Sequence, residues 1–342
     1  MHCVFHGIRF KVNFKDWVVV RQPFLFYIHH LIMNTTTNRL YASSVHALPK
    51  ARQTTWWLLK IIIPISLLVS LLQYWGIIAQ FAFLLAPAFS LIGLPGESAI
   101  VFISSFFLPL YAPIAILATL TLNLREITIL ALMCLISHNM IVETAIQKKT
   151  GSSAFVMFTL RLCFSFIAAI ILNWLLPTQM GSAGVAQTLT QFATIGEMLS
   201  SWLVSTGWLV FKIALIVTGL MMLQSIMKEF RILDFLAKLL SPFMRIMGLS
   251  DNSSFLWFVS QTLGLTYGSA IVLEAVEKNE IEAENANLLN YHIAINHSLL
   301  EDTLLFVAIG VPAGWLVIPR FAFAIGVVWF VRLMMKITST RK

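Results

Sequence analysis

Apolar residues run through this chain in blocks of about twenty, the length a helix needs to cross a hydrocarbon core, separated by short polar or glycine- and proline-bearing breaks. From Trp56 the pattern predicts a spanning helix to about Gln80, then an apolar piece over Phe81–Gly93 interrupted at Pro87. Glu97–Leu122 follows as two arms of about a dozen residues around Pro109-Leu-Tyr-Ala-Pro113. Neither arm is long enough to span, so the segment reads as a proline-kinked helix or a re-entrant hairpin whose tip is buried in protein. Glu126–Gln147 and Ala154–Leu176 are further spans, and Gly181–Ser200 is polar and free of Lys and Arg.

The second half repeats the first. Trp208–Met227 answers the first span, and Pro242 to Gly248 answers Pro87 to Gly93. Ser253–Ala275 answers the hairpin, with Gly264-Leu-Thr-Tyr267-Gly268 opposite Leu108-Pro-Leu-Tyr111-Ala112. Asn287–Ile309 and Trp315–Met335 complete the unit. The tightest echo is Ser137-His138-Asn139-Met-Ile-Val-Glu143 against Asn296-His297-Ser298-Leu-Leu-Glu301-Asp302, each histidine followed at fixed distance by an acid and then by Gly151 or Gly310. The expected division is a cytoplasmic segment 1–55 (1–32 reading as an upstream mis-start before Met33), repeat 1 over 56–177, an external linker 178–207, repeat 2 over 208–336 and a tail 337–342.

Composition places this pattern in a membrane. Of 342 residues, 58% are hydrophobic and 11% charged, with mean hydropathy +0.85; soluble domains carry about 25% charged residues. The formal net charge of +8 is then an orientation signal and an affinity for anionic lipid, with no nucleic-acid partner implied. If each hairpin is re-entrant, thirteen of the fourteen Lys and Arg in connecting segments from residue 50 onward fall inside and only Arg125 outside. If each hairpin spans, the count is eight against six. The positive-inside rule selects the first arrangement. The fold expected is an all-α polytopic membrane protein of two inverted repeats, each three transmembrane helices plus a re-entrant helical hairpin, with both termini cytoplasmic. Lys228–Met247 becomes a cationic amphipathic helix on the inner face.

Inverted repeats with discontinuous elements at the midplane are the architecture of secondary transporters. On Pro87…Gly93-Leu-Pro-Gly-Glu97, Pro242…Gly248-Leu-Ser-Asp-Asn252 and the polar hairpin residues Ser104-Ser105 and Ser260-Gln261-Thr262, residues 56–336 resemble the nucleoside-recognition, or gate-domain, membrane family. That family includes spore-maturation membrane proteins. It shares its gate unit with concentrative nucleoside transporters and with Feo-type ferrous-iron transporters. The resemblance implies a bacterial inner-membrane protein that moves a small solute by alternating access.

Ionisable groups at mid-membrane are costly and by default functional. The candidate solute-binding residues are His138, Asn139, Glu143, Asn296, His297, Glu301 and Asp302, with Ser104, Ser105, Ser260, Gln261 and Thr262 at the hairpins. On one continuous helix, His297, Glu301, Asn290, Asn287 and Ser298 would share a face. Imidazoles with carboxylates suit a divalent transition metal, ligated by His138, Glu143, His297 and Asp302, or a proton relay. The competing reading gives the histidines to helix packing. Arg161 and Arg320 read as snorkelling side chains, Glu97 and Asn252 as helix caps. A divalent cation or proton-coupled polar solute ranks first as substrate and a nucleoside-like compound second, with a proton or sodium as the coupling ion. The alternative function is a non-transporting membrane scaffold acting through a partner. A homo-oligomer or a paired membrane protein is a partner compatible with either. No phosphate-binding loop, dinucleotide fingerprint, H-E-x-x-H or nucleophile–base spacing is present, so an enzyme is not expected. Cys3, Cys134 and Cys163 have no pairing or ligand spacing.

Overall fold

The computed structural model is all-helical in its membrane part. It describes the backbone of residues 3–5, 8–10, 14–180 and 193–339, and side chains from residue 36 onward except at short interior stretches such as 265–270. Residues 181–192 of the expected linker, the side chains of 1–35 and of Tyr267, and the last three residues of the tail lie outside the described residues. Two three-residue strands, Cys3–Phe5 and Ile8–Phe10, pair antiparallel ahead of the helices.

Helix α1 (Phe14–Tyr74) continues the first expected span backward through the polar segment. Repeat 1 goes on with α2 (Ile77–Ser90, containing Pro87), α3 (Ser98–Phe107), α4 (Tyr111–Leu117), α5 (Leu124–Ser137), α6 (Met140–Lys149) and α7 (Ala154–Leu175). Repeat 2 follows with α8 (Ile195–Glu229), α9 (Ile232–Ile246, containing Pro242), α10 (Ser254–Glu277), α11 (Ala283–Ile295), α12 (Glu301–Val307) and α13 (Ala313–Ser339). Counting Leu124–Lys149 through its break, four helices among the described residues are long and apolar enough to cross a membrane. The expected span Asn287–Ile309 is not among them, because it is two short helices joined through an extended Asn296 and a left-handed Ser298.

Both expected hairpin segments are interrupted where the sequence puts the break. Leu108 is extended and ends α3 just before Pro109, as the residue before proline prefers. Gly264 breaks α10 at φ 82, ψ 168, a conformation for which glycine alone has no steric penalty. The repeat is written in backbone angles as well. Gly93 and Gly248 have φ 74 and 73, Asn139 and Ser298 have 49 and 47, and Gly151 and Gly310 have 97 and 101.

The core is built around α5, whose residues from Ile129 to Ile136 are completely buried. In Leu124–Lys149, 72% of the apolar window is buried, against 22–33% in Ala154–Leu175, Ile195–Glu229 and Ala313–Thr338, which are therefore peripheral. Their exposed Leu203, Trp208, Phe211, Leu215 and Phe330 form the surface that lipid covers. Helices α1 and α8 run antiparallel: Ser43 bonds Ser225 at 3.0 Å near one end, and the Trp202 indole donates to Ser66 at 3.1 Å further along. Buried Ala47 and Ala51 sit on the same stretch of α1, where small residues allow close approach. Residues 39–55 are thus a packed extension of the first span. The C-terminal part of the expected linker is likewise the first turns of α8, started by Thr194, whose hydroxyl accepts from the Glu197 N–H at 3.2 Å. Beyond α9, Arg245 chelates Asp251 at 2.6 Å and holds that carboxyl below its usual range.

Gly93 joins left-handed backbone to a close contact. A Cβ there would lie 2.0 Å from Asn173 Oδ1, whereas at Gly76, with φ 73, it would meet nothing within 4 Å. Gly76→Ala is expected to lose only the backbone term, about 1 kcal/mol. Gly93→Ala is expected to lower the thermal midpoint in detergent by clearly more. Equal midpoints for the two variants would contradict the packing of α2 and α3 against α7.

Candidate functional site

Each histidine stands at a break in a helix. Helix α5 starts with a capping box, in which Asn123 accepts from the Glu126 N–H at 2.9 Å and Glu126 accepts from the Asn123 N–H at 2.8 Å. It stops at His138, which is extended, and Asn139 then takes the left-handed conformation that asparagine tolerates. Helix α11 stops at Asn296, and Ser298 takes the same conformation. A break frees peptide groups that cannot remain unpaired inside a membrane. The N–H of Asn139 goes to the Ser105 carbonyl at 2.7 Å, and that of Ser298 to the Ser260 carbonyl at 3.1 Å. Each hairpin therefore serves the break through its backbone, and Ser260 is the counterpart of Ser105, one residue off the register read from Tyr111 and Tyr267.

The freed carbonyls go to two arginines. Arg161 donates to Ile136 O at 2.8 Å and His138 O at 2.6 Å, and Arg320 to His297 O at 3.3 Å. Both side chains are completely buried. They do not snorkel; they replace the missing turns of the broken helices. The sequence signal was there, since each lies ten residues after the repeat's glycine.

These breaks bring the two histidines together. Their Nε2 atoms are 3.4 Å apart and their ring centroids 5.0 Å apart. His138 Nε2 lies 3.5 Å from a Glu143 oxygen and 3.5 Å from Asp302 Oδ2. His297 Nε2 is 3.3 Å from Glu143 Oε2. All four side chains are buried. His138, His297 and Asp302 each offer an atom within 4.8 Å of the others. Glu143 and Asp302, on the first turns of α6 and α12, face positive helix ends. The two acids thus converge on one cluster, where a continuous helix would have sent them apart along the membrane normal.

Tautomers follow from the Nδ1 contacts. His138 Nδ1 lies 3.2 Å from the Cys134 carbonyl and His297 Nδ1 2.7 Å from the Ile293 carbonyl. A carbonyl only accepts, so Nδ1 carries the proton in both rings and the Nε2 lone pairs of the neutral forms face each other. Two lone pairs at that distance repel unless something electrophilic, a proton or a metal ion, stands between them.

The repeats differ in their charge partners. Arg161 pairs with Glu143 at 2.8 Å. Arg320 instead donates to the Thr303 hydroxyl at 2.5 Å, and among the described residues Asp302 has no ion pair with a guanidinium. Glu143 is in a direct ion pair, whereas Asp302 feels the Arg320 charge without one and bonds Ser298.

The remaining predicted residues lie around this cluster. The hydroxyls of Ser104, Ser105, Ser260 and Thr262 bond carbonyls of their own helices. Gln261 donates to the Asn296 carbonyl at 2.5 Å, while the Asn296 side-chain amide meets no described partner. Asn139 contributes its backbone. Glu301 is turned away and accepts from the Tyr111 hydroxyl at 2.6 Å, because the break at Asn296 removes it from the face of Asn287, Asn290 and His297. Glu97 ends up at the start of α3 and Asn252 in a 3-10 turn, neither with a capping side-chain bond.

The gate model, described as nucleoside recognition, matches the chain twice, over residues 55–174 and 210–328. This chain belongs to the gate-domain membrane family. It is similar to a Bacillus subtilis (strain 168) protein named uncharacterized membrane protein YvoD, 32% identical over 277 residues, which are 80% of this chain and 88% of the relative. No solved structure matches. Membership makes it a membrane protein of a transporter-like family.

A buried guanidinium paired to a carboxylate is far more costly to break than to remove whole, about 3–5 kcal/mol for loss of one partner. Arg161→Gln and Glu143→Gln are each expected to destabilise this gate-domain protein, with the double variant recovering part of the loss. Arg320→Gln and Asp302→Asn should show a smaller coupling, because the two charges interact without a direct ion pair. Thermal unfolding of both double-mutant cycles measures this, and equal coupling in the two would contradict the asymmetry.

Proposed function

We propose that this protein moves a divalent transition-metal cation across the membrane by alternating access around His138, His297 and Asp302, the repeats being inverted about that centre. The observation that carries the reading is the pair of facing Nε2 atoms 3.4 Å apart, one from each repeat, with Asp302 3.5 Å from the first. Metal–nitrogen bonds of about 2.0–2.1 Å at a tetrahedral angle set two imidazole nitrogens about 3.3–3.4 Å apart. The apposition that is repulsive for two neutral rings is the one a bound cation relieves. Two imidazoles and a carboxylate favour borderline ions such as Zn²⁺, Fe²⁺ or Co²⁺ over Mg²⁺ or Ca²⁺, which take oxygen ligands.

Supplying one imidazole from each repeat suits release as well as binding. A relative movement of the repeats separates His138 from His297, and a site held by ligands on both sides of the seam loses its chelate when they part. Glu143, neutralised by Arg161, keeps its charge beside the cation without adding a ligand that would hold it too tightly. The charge count supports a topology with both termini in the cytoplasm.

The test is uptake of Co²⁺ and Zn²⁺ into proteoliposomes. His138→Ala and His297→Ala should each cut uptake at least tenfold, about 1.4 kcal/mol of ligand energy, with folded protein yield maintained, since the Nδ1 bond of each ring is to its own helix and Arg161 still pairs with Glu143. A double variant that takes up cation at the native rate rules the centre out.

A further inference from the structure

The buried surfaces of α6 and α12 occupy equivalent places in the two repeats and have opposite chemistry. Beyond Glu143, the buried side of α6 carries Thr144 and Gln147 and leads to Thr150 and Ser152, all buried. Beyond Asp302 and Thr303, the matching positions on α12 and after it are Phe306, Ile309 and Val311, buried in the main apolar core. The facing helices differ in the same way. Asn287 and Asn290 on α11 correspond, at the histidine-to-histidine offset, to Thr128 and Ala131 on α5.

On the polar side the network leaves a particular residue of capacity. Gln147 donates through Nε2 to the Asn290 carbonyl at 3.0 Å. Asn290 donates through Nδ2 to Thr150 and Ser152 at 2.8 and 2.9 Å, and Ser152 donates to Asn287 at 2.6 Å. These bonds fix both amide orientations. The Gln147 Oε1, Asn290 Oδ1 and Thr144 Oγ1 atoms are then left, fully buried, with no partner among the described residues. A buried amide oxygen without a donor costs free energy, and hard oxygen ligands are what a hydrated or partly dehydrated divalent cation takes. Asn287 at the far end is half-buried, beside a largely apolar groove of about 740 Å³ that Leu160, Phe164, Phe323 and Phe330 also line between α7, α11 and α13. Lys148, Lys149 and Gly151, which cap this end of the bundle, are exposed.

We infer that the seam between α6 and α11, through Gln147 and Asn290, is a polar half-channel with an oxygen-lined relay site for a divalent cation, connecting the histidine centre to the end of the bundle that carries Lys148 and Lys149. The symmetry-related seam is lined by the apolar Phe306, Ile309 and Val311, so polar side chains lead from the centre toward one side only. By the charge-based topology that side is the cytoplasm. This rests on the proposed cation-binding role of the histidine centre. It adds the route, which the centre alone does not specify.

Two measurements test it. With Cys3, Cys134 and Cys163 replaced by alanine, single cysteines at Gln147, Asn290, Phe306 and Ala131 are exposed to a membrane-impermeant cationic thiol reagent in right-side-out and inverted vesicles. The first two should react from the Lys148–Lys149 side only and the last two from neither. Equal reactivity at positions 147 and 306 would overturn the route, whatever the solute. In the second measurement, purified Gln147→Leu/Asn290→Leu protein should bind Co²⁺ within twofold of native while proteoliposome uptake falls at least tenfold, as dewetting of a polar passage requires. Unchanged uptake in that variant overturns the half-channel. Absence of Co²⁺ binding in the native protein overturns the metal centre instead, and the labelling pattern then decides the route separately.

Discussion

Everything at the centre of this protein depends on what happens to peptide groups where a helix is interrupted inside an apolar environment. Each orphaned N–H or carbonyl costs several kcal/mol unless another group takes it. Here the carbonyls are taken by Arg161 and Arg320 and the N–H groups by carbonyls of the two hairpins. The arginines, hairpins and broken helices are one unit per repeat, and neither break would persist without its partners. The breaks turn the histidines toward each other, and that juxtaposition creates a place for a cation.

The unit is repeated but not copied. One arginine forms a direct ion pair with Glu143 while the other acts on Asp302 only at a distance; one seam is lined by amides and hydroxyls, the other by phenylalanine and branched aliphatic residues. Backbone equivalence at the left-handed positions preserves the frame within which these side chains diverge. A two-fold frame carrying unlike linings is a direct way to make a single conformation accessible from one side.

Much of the frame is legible in the sequence because it depends on local rules. Pro109 and Gly264 mark the hairpin turns, Asn123-x-x-Glu126 marks a helix start, and the spacing of His138 and His297 to their acids shows the repeat. What escaped depends on long-range pairing. Treating Asn287–Ile309 as one helix put Glu301 on the face of His297, but the break at Asn296 sends it to Tyr111. The arginines were visible at equivalent positions, yet a charged residue inside an apolar run reads equally well as snorkelling until the carbonyls it must satisfy are known. Likewise Gln147 and Asn290, 143 residues apart, become a pair only once the repeats are assembled.

The most direct test of the histidine centre is X-ray absorption on the purified protein loaded with Co²⁺ or Zn²⁺ at one equivalent. Two imidazole nitrogens and a carboxylate oxygen should appear at about 2.0–2.2 Å, one imidazole being lost in His138→Ala and one in His297→Ala. A shell of oxygens alone, or a spectrum that neither substitution alters, would contradict it.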